Sequence, residues 1–484
     1  MRTPPTTVEL FEELALREPR APAFAEEGEG LDRGQLHAML VRCALLLQRL
    51  GVRRGDRIAV SGPGFGIQLV VLLAAEGIGA VTASFQAEGD PDAEFLFSQV
   101  QWVFSAREQV LPVGVRFQLL DAALVRELAQ PLGSERPAWE PLGLHEPQRI
   151  TRTSGSSGRS KFMVLSRQAQ EQWVATGIEK NTYRPGTRLL VLGPLVMNAA
   201  FTRSSACLRR GGMVLAGGRG ADLPALRPTH VWGLPLQLET LLREAPPGYV
   251  APEPVRAATV GGAVSPALRE QVERMFRAPI KNRYGSNEAG GICEELDAGG
   301  TGILCAGVEV RILGPQGEDL PAGQAGAIAV RTAALAEGYL QRPEETAAAF
   351  RDGWFVSGDY GVLVGYRQLR LLGRHDDLVN IGGLKYPAAD VEADLRKQPA
   401  IAECAVQAVE LEDSDVSLGV AVVCAQGASR DEAVQQLRTA IEGWGSLKMR
   451  VVFVEALPRL AAGKVDRMAL LRLLREPSKR EGRA

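Results

Sequence analysis

The stretch TRTSGSSGRSKFMVLS, Thr151 to Ser166, concentrates hydroxyls and glycines and closes on a lysine. Glycines let backbone N–H groups approach an anion, hydroxyls add donors, and a lysine adds positive charge; together they make a phosphate cradle. The same composition also makes an ordinary polar loop. A Walker loop needs its lysine directly after the second glycine. Here Arg159 and Ser160 separate Gly158 from Lys161, and Phe162 follows the lysine, so that template fails. Four later stretches could also do chemistry. NRYGSNEAGG (282–291) sets an aromatic and a carboxylate just after a strand pattern, and VSGDYG (356–361) presents an aspartate on a tight turn. GRHDDLVNIGGLKYPAADVE (373–392) couples a basic residue, two acids and a Gly-Gly turn, and LPRLAAGKVDR (457–467) offers a lysine on a glycine turn. Each has a plain reading by itself. Asp359 can be a turn former, Tyr284 a core aromatic, Asp376 and Asp377 an exposed acidic pair, and Lys464 one more solvated lysine.

These residues need elements to position them. Residues 7–17 and 31–50 carry apolar residues at three- and four-residue spacing and are expected as amphipathic helices, the second ended by Gly51. From DRIAVSG (56–62) onward, short apolar strands alternate with helical patterns as far as APIKNRYG, which argues for mostly parallel sheet covered by helices. Ligands in such sheets sit beyond the carboxyl ends of strands. From about residue 300, short strands broken by Gly and Pro form a small β region, and beyond GRHDD (373–377) helix and strand alternate again. The expected architecture is α/β: a large N-terminal domain, residues 1–373, of parallel-type sheets with helices plus a small β region, then a small mobile α/β domain, residues 374–484.

Bulk properties narrow the class. The 484 residues are 45% hydrophobic and 23% charged with a formal net charge of −2, which suits a globular enzyme and gives no electrostatic reason for nucleic acid or an anionic membrane as partner. The six cysteines fall singly and only four histidines are present, so neither a disulfide framework nor a zinc site is expected. Reduced thiols fit a cytoplasmic location. No apolar run reaches ~18 residues, and no membrane span is expected.

All five stretches in this order resemble the adenylate-forming superfamily of acyl- and aryl-CoA synthetases, nonribosomal peptide synthetase adenylation domains and luciferases. The resemblance covers roughly residues 7–475. It implies attack of a carboxylate on the α-phosphorus of ATP, giving an acyl-adenylate and pyrophosphate, then transfer of the acyl group to a thiol with release of AMP. It also implies residue roles. Thr153, Ser154, Gly155, Ser156, Ser157, Gly158 and Lys161 would hold the β- and γ-phosphates. Tyr284 would stack on adenine, with Gly285 beside it, and Asn282 would accept from the adenine amino group. Gly261, Gly262 and Ala263 would form the wall between adenine and the acid pocket. Glu288 would hold Mg²⁺, a hard ion suited to oxygen ligands. Asp359 and Arg374 would hold the ribose, Asp376 would be the hinge, and Lys464 would touch both the carboxylate and the α-phosphate. Gly383 and Lys385 would line the thiol tunnel, for CoA or for the phosphopantetheine of a carrier protein. No carrier segment follows Lys464, so the acceptor is expected in trans.

Departures from the family pattern bear on the acid. Asn287 stands where threonine is usual, and Phe162 where glycine often follows the loop lysine; the aryl-acid branch tolerates an apolar residue there. Met197 replaces the histidine of many acyl-CoA synthetases. Asn198 stands where peptide synthetase domains place the aspartate that binds an α-ammonium, and desolvating an ammonium without a counter-ion is costly. Aryl-acid enzymes are similar in having asparagine there, hydrogen-bonded to a ring hydroxyl. An aryl or other non-amino carboxylic acid is therefore expected as substrate, with Asn198 as a helix N-cap the competing reading. Amide or β-lactone formation from the adenylate, and a nucleotide-binding homologue without turnover, remain as alternatives.

Overall fold

The computed structural model describes residues 4–153, 160–262, 264–374, 378–381, 384–410, 416–442, 449–459 and 465–475. Two compact units emerge, one of residues 1–309 and 330–355, the other of 310–329 and 356–484. The expected boundary at residue 374 falls within the second of these units.

The first unit contains two sheets. One runs Arg116–Leu119, Trp102–Ser105, Arg57–Ser61, Val81–Ser84, Pro147–Thr153 and Lys161–Ser166, parallel except for the last strand, which turns back as a hairpin. The other has a parallel run of six strands: Lys281–Ser286, Arg256–Val260, His230–Trp232, Arg188–Val191, Met213–Ala216 and Pro22–Glu26. Antiparallel strands Gly290–Glu294 and Thr301–Leu304 extend it at one side and Glu29–Asp32 at the other. The expected alternation of strand and helix is what builds both.

Helix ends follow local chemistry. Thr6 and Glu9 close a capping box on Thr7–Arg17, and Asp32 and Gln35 close another on Arg33–Leu50. Gly51, at φ +90°, ends the second helix in the left-handed conformation expected of it. Helix Phe65–Gly77 is apolar nearly all round and buried between neighbours. Its one carboxylate, Glu76, accepts from Thr82 Oγ1 at 2.9 Å and Gln148 Nε2 at 3.0 Å. Buried Arg149 donates to Thr82, Ser84 and the Leu195 carbonyl, and its guanidinium covers the Phe201 ring. Burial pushes Glu76 up and Arg149 down to about 10, each opposed by the other's charge. Every hydrogen bond in this network offsets a desolvation cost that an apolar pair would not incur.

Strands Glu309–Leu313, Ala325–Arg331, Trp354–Gly365 and Gln368–Arg374, in that order, fall mostly in the second unit, which also holds the ribbon Leu378–Ile381 with Leu384–Pro387 and a three-stranded sheet. In that sheet Ile401–Glu410 is antiparallel to Val416–Cys424, which is parallel to Met449–Phe453. Helices Ala388–Leu395, Arg430–Glu442 and Arg467–Arg475 pack on it through Val391, Leu395, Leu437, Ile441, Leu470 and Leu474. No helix among the described residues is long and apolar enough to cross a membrane.

His230, buried in the second sheet, carries a pH consequence. Its Nε2 lies 2.9 Å from the Asn181 carbonyl and its Nδ1 2.8 Å from Thr229 Oγ1. Burial lowers its pKa from 6.5 to about 4, against the Asn181 carbonyl, which favours protonation. The unfolded chain therefore takes the proton first as pH falls. The stabilisation is fully present above about pH 6.5 and is lost towards pH 4. Between pH 7 and pH 5 it amounts to about 2 kcal/mol. Urea unfolding of His230→Gln at these two pH values should show a pH dependence smaller by that amount; an unchanged dependence refutes the assignment.

Candidate active site

The loop that opened the sequence reading joins the hairpin strands Pro147–Thr153 and Lys161–Ser166. It lies at the tip of one hairpin, not between a strand and a separate hairpin. Thr153 and Lys161 are the last register pair, and residues 154–159, which include Ser154, Gly155, Ser156, Ser157 and Gly158, lie outside the described residues. Pro147–Thr153 is a parallel strand, so the loop leaves a carboxyl end, where ligands are expected. Beside it, Arg152 bonds Asp90 at 2.6 Å and approaches Asp92 at 3.5 Å. Burial alone would raise Asp90, but Arg152 and two backbone donors hold it below the usual carboxylate range.

Lys161 and Glu288 meet through a residue the sequence reading passed over. Tyr339 Oη donates to Glu288 Oε1 at 2.9 Å, and Lys161 Nζ lies 4.8 Å from the centre of the Tyr339 ring. Lys161 also pairs with Glu345 at 2.8 Å, and Arg342 pairs with the same carboxylate at 2.6 Å. Lys161 is the larger cause, Arg342 the smaller, of the lowered Glu345 pKa. Backbone bonds fix the arrangement: Ala336 N–H donates to the Glu288 carbonyl at 2.7 Å and Leu340 N–H to the Phe162 carbonyl at 2.7 Å. Asn287 Nδ2 donates to the Arg152 carbonyl at 2.7 Å, tying the Glu288 turn to the strand that enters the loop. The signal available in GYLQRPEET was an aromatic after glycine, then a proline-initiated helix with Glu344 and Glu345 in its first turn.

The expected adenine residues come together on adjacent strands. Val260 is in register with Arg283, so Gly261 and Gly262 emerge beside Tyr284. Gly261 adopts φ +82°, a conformation that favours glycine. A Cβ at Gly285 would stand 2.4 Å from the Gly290 carbonyl oxygen, so glycine is required there too. Ala263 lies outside the described residues. Asn282 is buried, and its Oδ1 has no hydrogen-bond partner among the described residues. An orphaned buried acceptor fits a ligand with an amino donor, as adenine has.

On the acid side, Asn198 is the first residue of helix Asn198–Arg209, and Met197 is the N-cap without a side-chain bond. The N-cap reading of Asn198 is therefore corrected. Its amide instead exchanges bonds of 3.2 and 3.3 Å with that of Gln170, and both are buried. Met197 Sδ would lie 3.0 Å from a Cβ at Gly193, and the Trp232 ring 2.9 Å from it, so these three close one wall. Phe162 is 3% exposed and its ring packs 5.3 Å from that of Phe95. It belongs to the sheet core, and its presence says nothing about the acid.

In the second unit, Asp359 and Arg374 are cross-strand partners in the hairpin, and Asp359 N–H donates to Ser357 Oγ at 3.2 Å. Lys385 lies on the strand Leu384–Pro387. Asp376, Gly383 and Lys464 lie outside the described residues. Among the described residues no group of three metal-binding side chains occurs. A single carboxylate, Glu288, with phosphate oxygens completing the shell, is the usual way to hold Mg²⁺.

This geometry is that of a nucleotide- and acid-binding α/β enzyme. The chain matches the AMP-binding enzyme family over residues 11–340 and the AMP-binding enzyme C-terminal domain over residues 390–464. It belongs to that family, and so to the adenylate-forming superfamily. Curated relatives include the feruloyl-CoA synthase of Amycolatopsis sp, 30% identical over 473 residues, spanning 92% of this chain and 94% of the relative. The 4-chlorobenzoate–CoA ligase of Arthrobacter sp is 26% identical over 96% of this chain and 94% of its own. Among solved structures, ATP-bound MatB from Rhodopseudomonas palustris superposes with a TM-score of 0.82 at 24% identity, covering 97% of this chain and 99% of that one. MenE from Bacillus subtilis with its acyl-adenylate intermediate gives 0.81 at 20% identity, covering 99% and 100%. These two likenesses establish the fold.

Tyr339→Phe removes the hydroxyl bond to a buried carboxylate and keeps the ring under Lys161. The expected loss of unfolding free energy is about 1.5–3 kcal/mol, read by urea denaturation. A loss below about 0.5 kcal/mol would mean the bond does not hold Glu288.

Proposed function

We propose that this chain is an acid–CoA ligase that activates a non-amino carboxylic acid as its acyl-adenylate and transfers the acyl group to the thiol of CoA. The observation that carries the reading is the joint placement of Lys161, Tyr339 and Glu288 beside the strand bearing Asn282 and Tyr284. A cation and a carboxylate suit a polyphosphate and its metal, and an orphaned acceptor at Asn282 suits an adenine amino group. Relatives such as the feruloyl-CoA synthase, the long-chain-fatty-acid–CoA ligase and the 4-chlorobenzoate–CoA ligase favour CoA over a carrier protein as acceptor.

Residue roles follow from charge. Thr153, the loop 154–158 and Lys161 hold the β- and γ-phosphates. Glu288 holds Mg²⁺, which when bound neutralises phosphate charge in the transition state. Glu345 keeps Lys161 in position and must give way to phosphate. Asp359 and Arg374 hold the ribose. Lys464 is assigned to the carboxylate and the α-phosphorus, where in-line positioning and charge neutralisation would do most of the work. The small domain, residues 374–484, turns about Asp376 between the two half-reactions, bringing Gly383 and Lys385 to the thiol path. Asn287 and Phe162, which motivated the non-catalytic alternative, are accounted for by a backbone tie and by core packing. An aryl acid remains the favoured substrate on the strength of the uncharged Asn198.

Acid-dependent exchange of labelled pyrophosphate into ATP tests the reading. Exchange should occur with at least one aryl or acyl acid and be lost in Lys464→Ala; its absence across a broad acid panel refutes activation. AMP released with an amine in place of CoA would move the proposal to amide formation. Asp376→Pro, which fixes φ at the hinge, should spare exchange and slow thioester formation; equal loss of both removes the hinge role. Glu345→Gln frees Lys161 from a half-exposed pair of the kind worth about 0.2–1 kcal/mol. ATP·Mg²⁺ should bind more tightly by up to about fivefold, read by titration calorimetry, and weaker binding would show that Glu345 positions the lysine more than it competes for it.

A further inference from the structure

Arg203 and Arg283 of the first unit, like the buried Arg167, form no ion pair among the described residues. Arg203, on helix Asn198–Arg209, lays its guanidinium 4.7 Å from the centre of the Trp232 ring and donates to the Ala199 carbonyl at 3.2 Å. Arg283, on strand Lys281–Ser286, donates to the Lys180 carbonyl at 3.2 Å and to Asn181 Oδ1 at 3.1 Å. The Nε atoms of both, and Trp232 Nε1, are shielded from solvent without hydrogen-bond partners among the described residues. Neither guanidinium forms an ion pair among the described residues. The carboxylates nearby are committed: Glu294 pairs with Lys180, and Glu295, which acts on Arg283, pairs with Lys281. Burial, then the Arg283 charge, pushes Arg203 down to about 10. A buried cation normally brings its own anion, because desolvating it alone costs several kcal/mol.

The strand register places both guanidiniums on one face of the sheet. Trp232 is level with Ala258, and Ala258 with Lys281, so Trp232, Lys281 and Arg283 share a face while Asn282 and Tyr284 take the other. That shared face is the one closed by Met197 and Gly193, the expected wall of the acid pocket. Arg203 lies about 7–8 Å along the helix axis from Asn198. Arg283 projects away from Tyr284 and precedes Glu288 by a turn of chain. The reacting carboxylate must meet the phosphate end, near Glu288, so an anion held by these arginines belongs to the other end of the acid.

We propose that the acid activated by this chain carries a second anionic group, a second carboxylate, bound between Arg203 and Arg283 at the far end of the acid pocket. The inference rests on the acid-activation reading and specifies its substrate class as dicarboxylic acids, aryl or aliphatic. The second carboxylate supplies the missing counter-charge to the two guanidiniums.

The test compares succinate, adipate, phthalate and terephthalate with their monomethyl esters in pyrophosphate exchange by the full chain. At least one diacid should exceed its ester in kcat/KM by roughly ten- to hundredfold, mainly through KM. Arg203→Met and Arg283→Met keep the buried stem and remove the charge; each should bring the diacid-to-ester ratio towards one. Equal use of diacid and ester by the unaltered chain overturns the inference without need of a variant. A variant that lowers diacid and ester alike overturns it too, since the arginines would then only hold the fold. Exchange with monocarboxylic acids alone removes the second anion and leaves acid activation standing. No exchange with any acid removes both.

Discussion

Tyr339 stands between a cation and an anion. Its hydroxyl donates to Glu288 and its ring face receives Lys161, whose ammonium also meets Glu345. Three pieces of chain far apart in sequence, a hairpin strand, the turn after a second-sheet strand, and the residue 332–345 segment, depend on this contact for their mutual position. An ammonium and a carboxylate brought close without such a mediator would pair directly and be unavailable to a nucleotide. With a phenol between them, Lys161 and Glu288 stay separated, and the lysine pairs with Glu345 instead.

The same constraint, how to keep charge inside without losing it to a neighbour, recurs through the first unit. Glu76 and Arg149 are linked through Thr82, so each buried charge is compensated by hydroxyl and amide donors as well as by the other. Arg152 is held by two aspartates at the mouth of the loop. Arg203 and Arg283, like Arg167, are held without an ion pair, by carbonyls, an amide and a ring.

Much of the site was legible because its parts are local in sequence. A glycine run and a lysine after a hydroxyl loop are recognisable from neighbours alone, and strand-helix alternation foretold the parallel sheets. Tyr339 and Glu345 were not legible, because nothing within their own segment indicates that Lys161 and Glu288 lie against it. The partners of Asn198 and Phe162 were not legible either. The types of these two residues matched known roles, but Gln170, twenty-eight positions away, takes the Asn198 amide, and Phe95 takes the Phe162 ring.

The sequence by itself determined the family, the order of the phosphate loop, the Tyr284 strand and the Asp359 segment, and where the helices begin and end; Asp359, expected on a tight turn, lies within the strand Trp354–Gly365. Those follow from short-range rules of capping, backbone conformation and periodicity, which act within a few residues. Only the tertiary structure decided which charges meet. It set Tyr339 between Lys161 and Glu288, gave Asn287 to the Arg152 carbonyl, left Asn282 without a donor, and put Arg203 and Arg283 on one face without a carboxylate. Electrostatic compensation depends on distance in space and on exclusion of water, and neither is set until the sheets are assembled.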